Sequence, residues 1–100
     1  MSDSQKILNL MGLAKKAGKV VTGEDSCEKT IRSGKARLVL VATDASENTK
    51  KKFTNKTTYY KVPLFSLFSK DEMSASLGTQ NRATVVITDE GFAKSMLKLI

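Results

Sequence analysis

The sequence predicts an α/β fold, a three-layer α/β/α sandwich around a small mixed sheet of about four strands. Two observations carry that prediction. In some segments apolar side chains recur at three- and four-residue intervals, in others they form short unbroken runs, and the two patterns alternate along the chain. Helices alternating with buried strands pack on both faces of a central sheet. A length of 100 residues suits one hydrophobic core, so a single domain over residues 1–100 is expected.

Ile7, Leu8, Leu10, Met11 and Ala14 define the apolar stripe of a first helix over 5–16, with Ser4 as its N-cap and Gly18 just past its end. Val20 and Val21 form a short extended piece. Gly23, Glu24 and Asp25 then open a second helix through Cys27, Thr30 and Ile31 to Gly34. Its acids stand in the first turn and its bases near the end, as the helix dipole favours. The run RLVLVA, 37–42, is short, apolar and β-branched, which marks a strand buried on both faces at the sheet centre. Asp44 or Ser46 can cap a third, very polar helix from Ser46 to Asn55. Tyr59, Tyr60, Lys61 and Val62 read as a further strand closed by Pro63, and Tyr59 and Tyr60 would then point to opposite faces.

After the short LFSLF segment, Ser69 and Glu72 have the spacing of a capping box, for a helix that ends near Gly78. The loop from Gly78 to Arg82 leads into ATVVIT, 83–88, a second buried strand. Asp89 caps a last helix that carries Phe92, Ala93, Met96, Leu97 and Ile100. Phe65, Phe68 and Phe92 are expected in the core, as is Cys27 on its helix flank.

Charge narrows the partners. Seventeen Lys and Arg against ten Asp and Glu leave +7 on a small body, a field that attracts polyanions. Nucleic acid is favoured over a membrane, because no apolar run approaches the roughly 20 residues of a bilayer span. The single cysteine excludes an internal disulfide, and the start MSDSQK lacks the layout of a secretion signal, so a cytoplasmic setting is expected. Histidine is absent, which excludes Ser-His and Cys-His nucleophiles and His-ligated zinc. No catalytic residue, metal or cofactor is expected. The lysine run Lys50, Lys51, Lys52 with Lys56 lies on the polar third helix, where a solvated face accounts for it.

The most informative stretch runs from Gly23 through Lys29 to Arg32 and Lys35. A glycine turn at a helix start presents free backbone N–H groups and the positive end of the helix dipole, a place that can receive phosphate. Asp25, Lys29 and Arg32 share one helical face at four- and three-residue spacing. Ordinary capping by Glu24 or Asp25, with the bases in solvent, explains the same residues.

The order GEDSCEKTIRSGKARLVLVATDAS, with the LGLAKKAGKVVTG-like segment before it and YYKVP and VVITDEGFA after it, resembles the ribosomal L-seven-Ae/L-thirty-e superfamily. The resemblance covers nearly the whole chain and is greatest to the small bacterial YlxQ-type branch. It implies an α/β/α sandwich that binds kink-turn RNA, a bent helix–internal loop–helix gripped by the glycine-led helix start. Shape and phosphate contacts dominate such recognition.

Carried over residue by residue, the resemblance assigns RNA contacts to Gly23, Glu24, Asp25, Ser26 and Lys29, with Arg32 and Lys35 on the same helix. Lys29 keeps the cation that donates to guanine or phosphate. Asp25 departs from the amide or cation usual at its place; a carboxylate only accepts hydrogen bonds and repels phosphate. Ser26 stands where better-known members carry an acid. The second contact falls on the loop Gly78, Thr79, Gln80, Asn81 and Arg82, up to Ala83, more polar here than the small, apolar loop usual in the family. Arg82 can stack on a base or bind phosphate, and Gln80 and Asn81 can read base edges; a hydrophilic turn would look the same. Lys15, Lys16 and Lys19 can add phosphate contacts.

The expected protein is therefore a ribosome-associated, non-catalytic monomer whose partner is structured rRNA or mRNA. Two alternatives stay open. One is an RNA-recruiting module beside an RNA-modifying enzyme, and the other a protein adaptor whose charge serves solubility.

Overall fold

A computed structural model of the chain describes residues 3–100. Five helices and four strands follow in the order α1 (Asp3–Lys16), β1 (Val20–Thr22), α2 (Glu24–Arg32), β2 (Leu38–Val41), α3 (Glu47–Tyr60), β3 (Leu64–Phe65), α4 (Lys70–Leu77), β4 (Thr84–Ile87) and α5 (Glu90–Leu97). The strands form one mixed sheet in the order β1-β4-β2-β3. β4 is antiparallel to both β1 and β2, and β3 runs parallel to β2. The central strands β2 and β4 are buried along their whole length, as an apolar run without alternation demands.

Helices α2 and α3 pack together against the sheet on one side, and α1 packs with α4 and α5 on the other. The three layers of the expected sandwich are present. Met11, Ile31, Phe53, Met73 and Met96, all fully buried, bring one large side chain from each helix into the core around Val39, Val86 and their strand neighbours. Gly12 lets α1 approach α4 closely, since a Cβ there would stand 3.1 Å from the Ser76 carbonyl oxygen. Among the described residues no helix is long and apolar enough to cross a membrane.

Local signals set most helix ends. Ser69 and Glu72 form the full capping box, and Asp89 Oδ2 accepts from the Phe92 N–H. Ser46, not Asp44, caps α3, accepting from the Thr49 N–H. Asp44 instead accepts from the Lys70 N–H at the start of α4, across the chain from its own neighbours.

Two expectations need correction. Ser4 does not cap α1, because the helix already contains Asp3 and Ser4. Tyr59 to Val62 is not a strand: α3 continues through Tyr60, and the sheet's fourth strand is Leu64–Phe65, after the proline. The helix persists because Phe53 and Thr57, four residues apart, are both buried on its inner face. It stops at Lys61, which takes the left-handed conformation at φ 57°, while the Val62 N–H returns to the Thr57 carbonyl oxygen. Val62 precedes Pro63, where a helical conformation is disfavoured.

Candidate nucleic-acid interface

The register of β1 on β4 builds the site. Thr22 pairs with Val85 in antiparallel register, so the chain leaving β1 at Gly23 lies beside the chain entering β4 at Thr84. Two segments far apart in sequence, the start of α2 and the α4–β4 loop, are thereby neighbours. A depression of about 230 Å³ between them is lined by Gly23, Glu24, Thr49, Asn81, Arg82 and Thr84.

Gly23 is the N-cap of α2 at φ 91° and ψ 140°, backbone angles open to glycine alone, and among the described residues no side chain caps this helix. The free N–H groups of the first turn are therefore left to an outside acceptor. Capping by Glu24 or Asp25, the plain reading of these acids, does not occur. Over Gly23 lies the guanidinium of Arg82, with Nη1 at 3.7 Å from where a Cβ would stand. Arg82 forms no ion pair among the described residues, and its Nε has no acceptor there. Its backbone N–H is fixed by the Ser74 hydroxyl, and its neighbour Asn81 takes a left-handed φ of 55° to turn the loop.

The remaining expected contacts divide by face. Asp25, Ser26, Lys29, Arg32 and Lys35 are all exposed, on and just beyond α2. Lys29, Arg32 and Lys35 form no ion pair among the described residues. Gly78, Gln80 and Asn81 are exposed in the loop, whereas Thr79 is half-buried with its Oγ1 lacking a partner among the described residues. Lys15, Lys16 and Lys19 are exposed at and beyond the end of α1.

Glu24 differs from its neighbours. Its carboxylate accepts from the Thr49 hydroxyl at 2.9 Å and lies 3.7 Å from Lys52 Nζ, both on α3. One turn on, Glu28 pairs with Lys52 and, at 3.8 Å, with Lys56. The hydrogen bond from Lys52 holds the Glu28 carboxyl below its ordinary range and raises the Lys52 ammonium in return. Two lysines of the polar third helix thus neutralise acids of α2, a service that no local sequence signal shows. Below this surface Cys27 is fully buried, its thiol donating to the Val21 carbonyl oxygen at 3.4 Å, and burial pushes its pKa up to about 12.

Tyr59 and Tyr60, expected on opposite faces of a strand, are both exposed on the last turn of α3. Their ring centroids are 4.9 Å apart, edge to face.

Comparison with known proteins agrees with this architecture. A sequence profile of the ribosomal protein L7Ae/L30e/S12e/Gadd45 family matches residues 5–97. RNA-binding protein YlxQ of Enterococcus faecium is 51% identical over 96 residues, which cover 96% of this chain and 92% of that one. Its namesake in Bacillus subtilis is 47% identical, over 91% of each. Large ribosomal subunit protein eL8 of Thermoplasma volcanium is 29% identical, over 97% of this chain and 81% of its own length. Among solved structures, a Bacillus halodurans protein of unknown function superposes with a TM-score of 0.91 at 31% identity, covering 94% of this chain and 95% of its own. The 15.5 kD RNA binding protein of Giardia lamblia shares the fold at a TM-score of 0.80 and 19% identity, covering 98% and 90%. Profile, full-length relatives and fold agree that the chain belongs to the ribosomal protein L7Ae/L30e/S12e/Gadd45 family, in its YlxQ branch.

Proposed function

We propose that this protein is a non-catalytic, ribosome-associated RNA-binding protein that grips a kink-turn in rRNA or mRNA between the start of α2 and the α4–β4 loop. The observation that carries the reading is the uncapped glycine-led start of α2 with an unpaired Arg82 guanidinium above it. Free N–H groups, a helix dipole and a cation converge there on one acceptor, which is what a sharply bent phosphate backbone offers. The relatives' names, RNA-binding protein and large ribosomal subunit protein, support the same partner.

Lys29 donates to guanine O6 or N7 or to phosphate, one turn along the exposed face. Ser26 donates or accepts beside it, and Asp25, which only accepts, takes a hydrogen bond from a guanine amino group. Gln80 and Asn81 read base edges on the loop side, with Gly78 and Thr79 shaping the turn. Arg32 and Lys35, with Lys15, Lys16 and Lys19, add phosphate contacts. Glu24, turned toward Thr49 and Lys52, anchors the helix start. The protein acts as a cytoplasmic monomer.

Gel-shift titrations test this directly. A duplex with a kink-turn should bind roughly a hundredfold or more tighter than one whose sheared G·A pairs are replaced by Watson–Crick pairs. Equal affinities would overturn the reading. Co-sedimentation with ribosomal subunits in sucrose gradients tests the association with ribosomes.

A further inference from the structure

The C-terminal turn of α3 carries a surface with no part in the kink-turn grip. Tyr59 is 79% exposed, largely in water, and Tyr60 is 39% exposed, its ring in contact with that of Tyr59. The core does not require them, since the inner face of this helix is filled by Phe53 and Thr57. Exposed lysines stand on either side of the rings along the chain. Lys51, Asn55 and Tyr59 follow one another at four-residue spacing on an exposed stripe, about 12 Å from first to last at a 1.5 Å rise per residue. Lys61 follows the rings directly, and neither Lys51 nor Lys61 forms an ion pair among the described residues.

The position of the patch follows from the bridges between α2 and α3. Glu24 meets Thr49 and Lys52, and Glu28 meets Lys52 and Lys56, so the two helices advance side by side in the same direction. The start of α2, with Gly23 and Arg82, lies at one end of this pair, and Arg32 and the tyrosines lie at the other. An RNA held at the first end has a path to the second past the exposed Lys29 and Arg32.

We infer that Tyr59 and Tyr60, flanked by Lys51 and Lys61, form a second nucleic-acid site that stacks the bases of single-stranded RNA. Exposed aromatic rings between unpaired cations suit a flexible strand, because every base offers a face to stack on and every phosphate a charge to neutralise. A paired duplex buries its base faces and would gain only the charge. The inference deepens the RNA-binding reading, since the single strand would flank the kinked duplex, yet the patch can be probed without the kink-turn.

The chain has two tyrosines and no tryptophan, so its tyrosine fluorescence reports on this patch alone. Titration with oligouridylate should quench the tyrosine emission, and an abasic oligonucleotide of equal length should not. Quenching by both alike, or by neither, overturns the stacking site whether or not kink-turns bind. In gel shifts, a single-stranded extension on a kink-turn duplex should raise affinity about tenfold for the native protein. Y59A/Y60A should lose that gain and keep the affinity for the blunt duplex, whereas Y59F/Y60F should keep both. No gain from the extension, with tight binding of the blunt duplex, sinks the second site and spares the first. Failure of the blunt duplex to bind, with oligouridylate still quenching, sinks the kink-turn reading and spares the second site.

Discussion

Arg82 Nη1 lies 3.7 Å from the position a Cβ would take on Gly23, so the last residue before Ala83 and β4 roofs the first residue of the α2 turn. An added methyl group would make ordinary contact there; the obstacle is the backbone. At φ 91° and ψ 140° an alanine is strained whatever the space, at a cost of about 1–3 kcal/mol. Gly23→Ala should lower the urea midpoint accordingly and weaken RNA binding beyond what the lost stability explains, because relaxing the strain moves the first N–H groups of α2. A variant as stable and as tightly binding as the native protein would show that the turn tolerates a side chain.

Lys29 and Arg82 form no ion pair among the described residues and stand at the proposed grip, whereas Lys98 is an exposed cation beyond α5, in the opposite helical layer. Replacing Lys29 or Arg82 by Ala should each cost about 1–3 kcal/mol in binding a blunt kink-turn duplex, and Lys98→Ala should cost much less. Filter-binding titrations decide it. Three equal small losses would mean that the field of the whole +7 body, and no particular site, holds the RNA.

How much of this was legible in the sequence depended on whether the signal was local. The capping box at Ser69 and the cap at Asp89 act within three residues, and the runs around Val39 and Val86 declare double burial by their lack of alternation. The strand expected over Tyr59 to Val62 is helix as far as Tyr60, because the burial of Thr57 just before the tyrosines keeps the segment helical. No glycine announced its end, since Lys61 occupies the left-handed cap. The glycine-led helix start was visible in the residues themselves, and the loop at Arg82 through the family resemblance. The side chains that turn Glu24 away from that start sit 25 and 28 positions further on, on another helix, where no spacing rule reaches.

Cys27 tests how firmly the start of α2 is closed. Burial raises its thiol from an ordinary 9.0 to about 12, against a smaller pull downward from the Arg82 charge. The native protein should react with a thiol reagent at least about a hundredfold more slowly than the urea-unfolded chain, the rate following the opening of α2. Because the folded pKa is the higher one, the stabilisation is whole below pH 9 and fades as pH rises toward 12, by roughly 1.4 kcal/mol per pH unit. Unfolding curves of Cys27→Ala should lack that component of the alkaline decline. Rapid labelling of the folded protein at neutral pH would contradict the closed site.

The Glu28–Lys52 pair gives the opposite sign in acid. Its carboxyl titrates below the ordinary 4.5 when folded, so the pair's contribution is present above that value and fades as pH falls through the lowered one. The lysine, raised above 10.5, sets the alkaline limit in the same way. Glu28→Gln should flatten the acid limb of the stability profile below pH 4.5 and leave neutral RNA binding nearly unchanged. An acid limb identical to that of the native protein would show that solvent screens the pair fully.

Lys52 is the residue whose effect should be most out of proportion to its place. It does not itself line the depression beside Gly23, yet through its contact with Glu24 it holds that carboxylate over α3 and away from the bare N–H groups behind Gly23. Freed by Lys52→Ala, that carboxylate is expected to swing toward the positive end of the helix, the position favoured for an acid in a first turn, where it competes with phosphate. Affinity for a blunt kink-turn duplex should fall about tenfold, more than the loss of one distant charge explains, since exposed charges beyond about 8 Å are screened at physiological salt. Glu24→Gln in the same chain should recover most of the loss, because an amide neither repels phosphate nor follows the dipole so strongly. The double-mutant cycle separates this positioning from bulk charge: additive losses in Lys52→Ala and Glu24→Gln would mean that Lys52 acts only as one more cation.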